Sequence, residues 1–167
     1  MTTDDETPEG QRLLRIYLQD HLAGSMAGHE LAKHCAAGNR GTPLGNELEK
    51  IAGEIGEDRE LLQQLASKLG FGEDPVKSAM AWIAEKAGRL KPNGKLVGGS
   101  PLSGLLELEG LTAGIQAKRC LWQALAALED PDPAIGALPL DDLINSAEDQ
   151  QRRIEPHRLE AARRAFA

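Results

Sequence analysis

Four times along this chain an N-cap residue stands directly before proline: Thr7-Pro8, Thr42-Pro43, Asp74-Pro75 and Ser100-Pro101. Proline suits the first helical turn, where its missing N–H would have gone unpaired, and the preceding side chain can accept from a free backbone donor. An apolar pattern of helical period follows each pair, so each marks a helix start. The spacing predicts helices over 8–37, 43–69, 75–91 and 101–128. Gly38 and Gly70 act as stops, and Asn39–Gly41 and 92–99 act as turns. A Pro-rich linker over 130–139 leads to a fifth predicted helix, 140–166, of weak apolar content, which Pro156 should kink or interrupt. The acidic start, 1–7, is expected to be disordered.

The rest of the composition agrees with helices. Hydrophobic residues make up 41% of the 167 positions and aromatics only 3%, so the apolar content is mainly Leu and Ala. Net charge is −7 with no long Lys/Arg cluster, which argues against nucleic acid as a partner. No apolar run approaches the roughly 20 residues that span a bilayer, and the start lacks the pattern of a signal peptide. Cys35 and Cys120 have no paired spacing. A cytoplasmic, soluble chain is expected, with no membrane and no nucleic acid among its partners. The expected fold class is all-α: an up-and-down four-helix bundle over 8–128 with an additional C-terminal helix, in one domain.

Two polar residues interrupt the expected core stripes. The first stripe is Leu14, Tyr17, His21, Gly24, Gly28, Leu31 and Cys35; the second is Leu48, Ile51, Ile55, Asp58, Leu62, Leu65 and Leu69. Short connections make successive helices antiparallel neighbours. Counting outward from the turn near Arg40 then brings His21 level with Asp58. The expectation is a buried His21–Asp58 pair, with Tyr17 completing a small polar core, or else a metal or catalytic role for the same groups. Gly24 and Gly28 are read as positions of close helix approach, with room for a ligand as the other reading. His29 and His34 are five apart and off the stripe, so they read as solvated. Glu107 and Glu109 read as salt-bridge partners of Lys86, Arg89 or Lys118, or as metal ligands.

The helix over 101–128 is apolar on two sides. Leu102, Leu106, Ala113 and Cys120 form one face, and Leu108, Leu111, Ile115 and Trp122 the other. The second face needs a cover, either the fifth helix or a partner; Trp82 with Leu111, Ile115 and Trp122 makes up the candidate interaction patch. A homodimer or protein partner through this helix is the expectation.

One carboxylate or histidine per helix at one level resembles the ferritin-like superfamily over residues 8–128. Ferritin-like di-iron bundles place a glutamate on each of two helices and Glu-x-x-His on the other two. By position, Asp20 or His21 stands for the first ligand and Glu54 for the second-helix glutamate. Glu57 stands where the histidine should follow, and Glu107-Leu108-Glu109-Gly110 again lacks one. The opening Tyr17-Leu18-Gln19-Asp20-His21-Leu22-Ala23-Gly24 is also similar to small uncharacterised helical proteins. The resemblance implies a degenerate metal centre: one iron or zinc held by His21, Asp58, Glu54 and Glu109. The residues alone point instead to a non-catalytic interaction or structural protein with no cofactor, and no catalytic residue stands out.

Overall fold

The computed structural model describes residues 8–71 and 100–167. The expectations for the acidic start, for the helix over 75–91 with Trp82, Glu85, Lys86 and Arg89, and for the loop over 92–99 therefore lie outside the described residues. Every described element is a helix: α1 (Glu9–Gly38), α2 (Pro43–Lys68), α3 (Pro101–Ala126), the single turn α4 (Pro133–Gly136) and α5 (Leu140–Phe166).

The starts of α2 and α3 follow the N-cap–proline grammar, whereas α1 and α5 begin directly after Pro8 and Pro139 with no side-chain cap. Thr42 Oγ1 accepts from Gly45 N at 3.0 Å and Ser100 Oγ from Ser103 N at 3.1 Å. The same device occurs once more inside the expected linker. Asp132 precedes Pro133 and accepts from Ala134 N at 2.8 Å, opening α4. Two glycines make the α1–α2 turn possible. Gly41 takes φ +78°, a left-handed conformation that side chains disfavour. Gly45 lies so close to the chain before it that a Cβ would stand 2.0 Å from the Asn39 carbonyl oxygen.

Each long helix packs on two others: α1 on α2 and α3, and α5 on α3 and α2. Side-chain pairs set the directions. Leu31 meets the Gly110 position and His34 meets Glu107, so α1 and α3 are antiparallel. Lys118 with Gln150 and Glu109 with Arg158 make α3 and α5 antiparallel. Glu47 and Glu54 meet Arg153 and Gln150 in reverse order, so α2 and α5 are antiparallel as well. Hence α1 and α5 run one way, and α2 and α3 the other.

This places α5 among the walls of the core. Its inward stripe is Leu143, Ala147, Gln150 and Ile154, all buried. Four residues at helical spacing are enough, because the other faces carry charge and water. Pro156 does not interrupt it; the helix runs through to Phe166. The face Leu108, Leu111, Ile115 and Trp122 is interior, at 3%, 1%, 1% and 0% exposed. Leu111 and Ile115 share a cluster with Ala147 and Ile154 of α5, so α5 covers this face and the three patch residues on it offer no surface to a partner. Leu102 and Leu106, on the opposite side, are the exposed ones.

Two apolar clusters fill the bundle. One, toward the α1–α2 turn, centres on Cys35, Leu48, Ile51, Leu108 and Ile154. The other centres on Leu18, Leu65, Trp122, Ile135 and Leu143, with α4 supplying Ile135 as its plug. On α1 the deepest face is Leu18, Leu22, Ala32 and Ala36, about one residue round from the expected stripe. Tyr17, His21, Gly24 and Gly28 consequently lie at the edge of the core.

Candidate functional site

Between the clusters lies a polar layer built from three helices. Lys118 on α3 donates to Asp58 Oδ2 of α2 at 2.5 Å and to Gln150 Oε1 of α5 at 2.6 Å. Gln150, fully buried, passes its Nε2 to Glu54 Oε2 at 3.0 Å. Glu54 also accepts from Arg153 Nη1 at 2.9 Å, and Arg153 reaches Glu47 and Asp149. The Arg153 hydrogen bond holds the Glu47 carboxyl below its ordinary range. Each buried charge in this layer thus has an opposite charge or an amide beside it, as burial demands.

The expected His21–Asp58 pair is replaced by Lys118–Asp58. His21 and Asp58 line the same cavity. Asp58, however, is met by the ammonium of Lys118, which reaches it from α3. His21 packs its ring edge-on against Tyr17 instead, with centroids 4.6 Å apart and planes at 71°. Burial lowers the His21 pKa from its ordinary value, against the pull of Asp20. Burial raises that of Tyr17, with Cys120 adding to it.

The four proposed metal ligands are not brought together. Asp58 is bound to Lys118, Glu54 to Arg153 and Gln150, and Glu109 faces Arg158 at 3.5 Å on an exposed site. Among the described residues no group of three or more His, Cys, Asp or Glu side chains converges to hold a metal ion. Iron or zinc would have to displace three cationic side chains, so these residues do not fit one. His29 lies against α2, with its ring 3.2 Å from where a Gly56 Cβ would stand, rather than in solvent. His34 is exposed and 3.5 Å from Glu107.

The cavity itself is the feature that sequence spacing only half disclosed. It measures about 450 Å³ and lies between α1, α2 and α3. Gly24 and Gly28 on α1 face Gly110 and Gly114 on α3 across it, and Leu31, Ile55, Leu62, Leu111 and Leu121 supply most of its apolar wall. Close helix approach is not the reason for these glycines. A Cβ at Gly24, Gly28 or Gly114 would meet nothing within 4 Å; only at Gly110 would one touch Leu31, at 3.3 Å. The polar groups on its lining are Asp20, His21, Ser25, Asp58, Arg59 and Lys118, and Ser25 donates its hydroxyl to Leu22 O at 2.7 Å. The α3 glycines were the missed half of the signal: Gly110 and Gly114 sit four apart, as Gly24 and Gly28 do.

A second hollow, of about 990 Å³, opens at the α1–α2 turn among His34, Cys35, Glu107, Ser103 and His157. Its thiol is no nucleophile. Burial and the Glu107 carboxylate push Cys35 up to about 11, leaving almost no thiolate near neutral pH.

No helix among the described residues is long and apolar enough to cross a membrane. Comparison of the chain with protein-family models, with curated proteins and with solved structures returns no match.

Proposed function

We propose that this chain is a non-catalytic binding protein whose cavity between α1 and α3 takes up a small, mainly apolar molecule. What carries the reading is the cavity of about 450 Å³ walled by glycines whose missing side chains would meet no neighbour. Interior helix glycines cost about 1 kcal/mol each relative to alanine. Gly24 and Gly28, half-buried on the lining, would each admit a larger side chain and do without one, which favours open volume over stability. The size falls in the usual range of small-molecule pockets, which are mostly apolar with few polar groups. Ser25 supplies a hydroxyl to the lining but donates it to Leu22 O at 2.7 Å and not to a base, so binding is preferred to catalysis.

The test is binding of toluene to the full chain, followed by calorimetry, in the parent and in Gly24→Leu/Gly28→Leu. We expect saturable binding in the parent, lost in the double variant, with the melting temperature unchanged or raised. An absence of binding in the parent, or equal binding in a folded double variant, would sink the reading.

As a fold, the arrangement also supports a ferritin-like architecture. Phe71 packs at the end of the bundle opposite the α1–α2 turn, whereas Ser100 lies beside Asn39 and Thr42 at that turn. Successive described helices that run parallel, as α2 and α3 do, are what one long crossover gives a ferritin-like bundle. That likeness extends to helix directions and not to the metal ligands.

A further inference from the structure

The cavity has one polar spot whose hydrogen-bonding capacity is not used up, and it is a matched one. We infer that the ligand is a neutral amphiphile: an apolar body with a single head that both donates and accepts, an alcohol or a primary amide. This rests on the cavity reading above and adds the chemistry of the head.

Asp58 is 8% exposed and uses Oδ2 for Lys118; its Oδ1 has no hydrogen-bond partner among the described residues. That oxygen is also not among the sealed, unpartnered atoms, which are Arg119 Nε and Trp122 Nε1. It is therefore open to whatever fills the space that Asp58 lines. Lys118 has three N–H donors and spends two, on Asp58 and Gln150. Both residues line the cavity, and between them one acceptor oxygen and one donor are unspent among the described residues.

A hydroxyl satisfies both at once, donating to Oδ1 and accepting from Nζ. A primary amide does the same through its N–H and its carbonyl. Charged heads fit worse. A carboxylate can take the Lys118 proton donor but meets the Asp58 charge, and an ammonium meets the reverse conflict. The ion pair is already balanced, so a charged head leaves one unit of buried charge uncompensated.

The body is placed by antiparallel register. Lys118 and Asp58 are level with the Gly24 turn of α1. From there the walls run toward Gly28, Leu31, Gly110 and Leu111, with no charged group among those four. At a water's share of about 30 Å³ per heavy atom, the volume admits roughly ten to fifteen non-hydrogen atoms. A medium-length chain fits.

The experiment compares 1-octanol, octanamide, octanoate, octylamine and toluene on the full chain by isothermal titration calorimetry. Octanol and octanamide should bind at least about tenfold tighter than octanoate or octylamine, the difference that a matched polar pair supplies. Asp58→Asn should reverse part of that order, drawing octanoate toward the now unbalanced Lys118. Octanoate or octylamine binding the parent as tightly as octanol overturns the inference while leaving the cavity reading standing. Binding of none of the five, toluene included, overturns both. If Asp58→Asn does not fold, the parent series alone decides.

Discussion

His21 carries a charge state that can be titrated against the fold. Its pKa is lowered from the ordinary 6.5 by burial beside Tyr17, so the unfolded chain takes up a proton first as pH falls. The stability from a neutral His21 is whole above pH 6.5. It is lost progressively as pH drops through 6.5 toward the lower folded value. His29 is shifted the same way, also mainly by burial, so the parent will show both. His21→Gln should remove part of the acid loss between pH 7 and 5, measured as urea midpoints at each pH. Identical pH profiles for parent and variant would mean that the ring is as well hydrated as in the unfolded chain.

Among the elements, α5 is the one whose sequence reads as weaker than its structure. Pro156 lies inside it on an exposed face, where it gives up one backbone donor and crowds the preceding turn. Flanking turns carry it: Arg158 binds Glu155 at 2.8 Å, and Ile154 is 1% exposed in the core. Since no core contact depends on the ring, Pro156→Ala should stabilise the protein by roughly 1–3 kcal/mol. Chemical denaturation checks this. A midpoint that stays put or falls would mean that the proline sets a bend on which α5's fit to α3 depends.

On the scale of the whole molecule, Lys118 is the tie between three helices. Its side chain is 14% exposed and that of Asp58 10%, so removing one partner strands a charge with little water to screen it. Lys118→Met should cost roughly 3 kcal/mol, and adding Asp58→Leu should recover part of the loss. The cycle is read from equilibrium unfolding of the parent, both single variants and the double. Additive losses would show that the pair does not couple α2 to α3. Because Gln150 loses a partner too, the recovery should be incomplete.

The starts of α2 and α3 were legible in the chain because capping is local: a side chain and a proline within three residues decide where a helix begins, whereas at α1 Pro8 itself takes the cap position. That His21 and Asp58 belong to one region of the bundle was legible too, since short turns and a fixed rise of about 1.5 Å per residue leave little freedom, and both line the same cavity. α4 escaped notice because its Asp132-Pro133 start lies in a stretch that reads as linker. What spacing along one helix cannot show is which neighbour fills the angle beside a residue. Asp58 was a core aspartate in either case; that its partner is Lys118 rather than His21 depends on how α3 is rotated about its axis. The same rotation turns Leu111, Ile115 and Trp122 inward and sets Gly110 and Gly114 opposite Gly24 and Gly28. Glycine in a stripe is compatible with contact or with emptiness, and only the separation of the two helices made it a cavity.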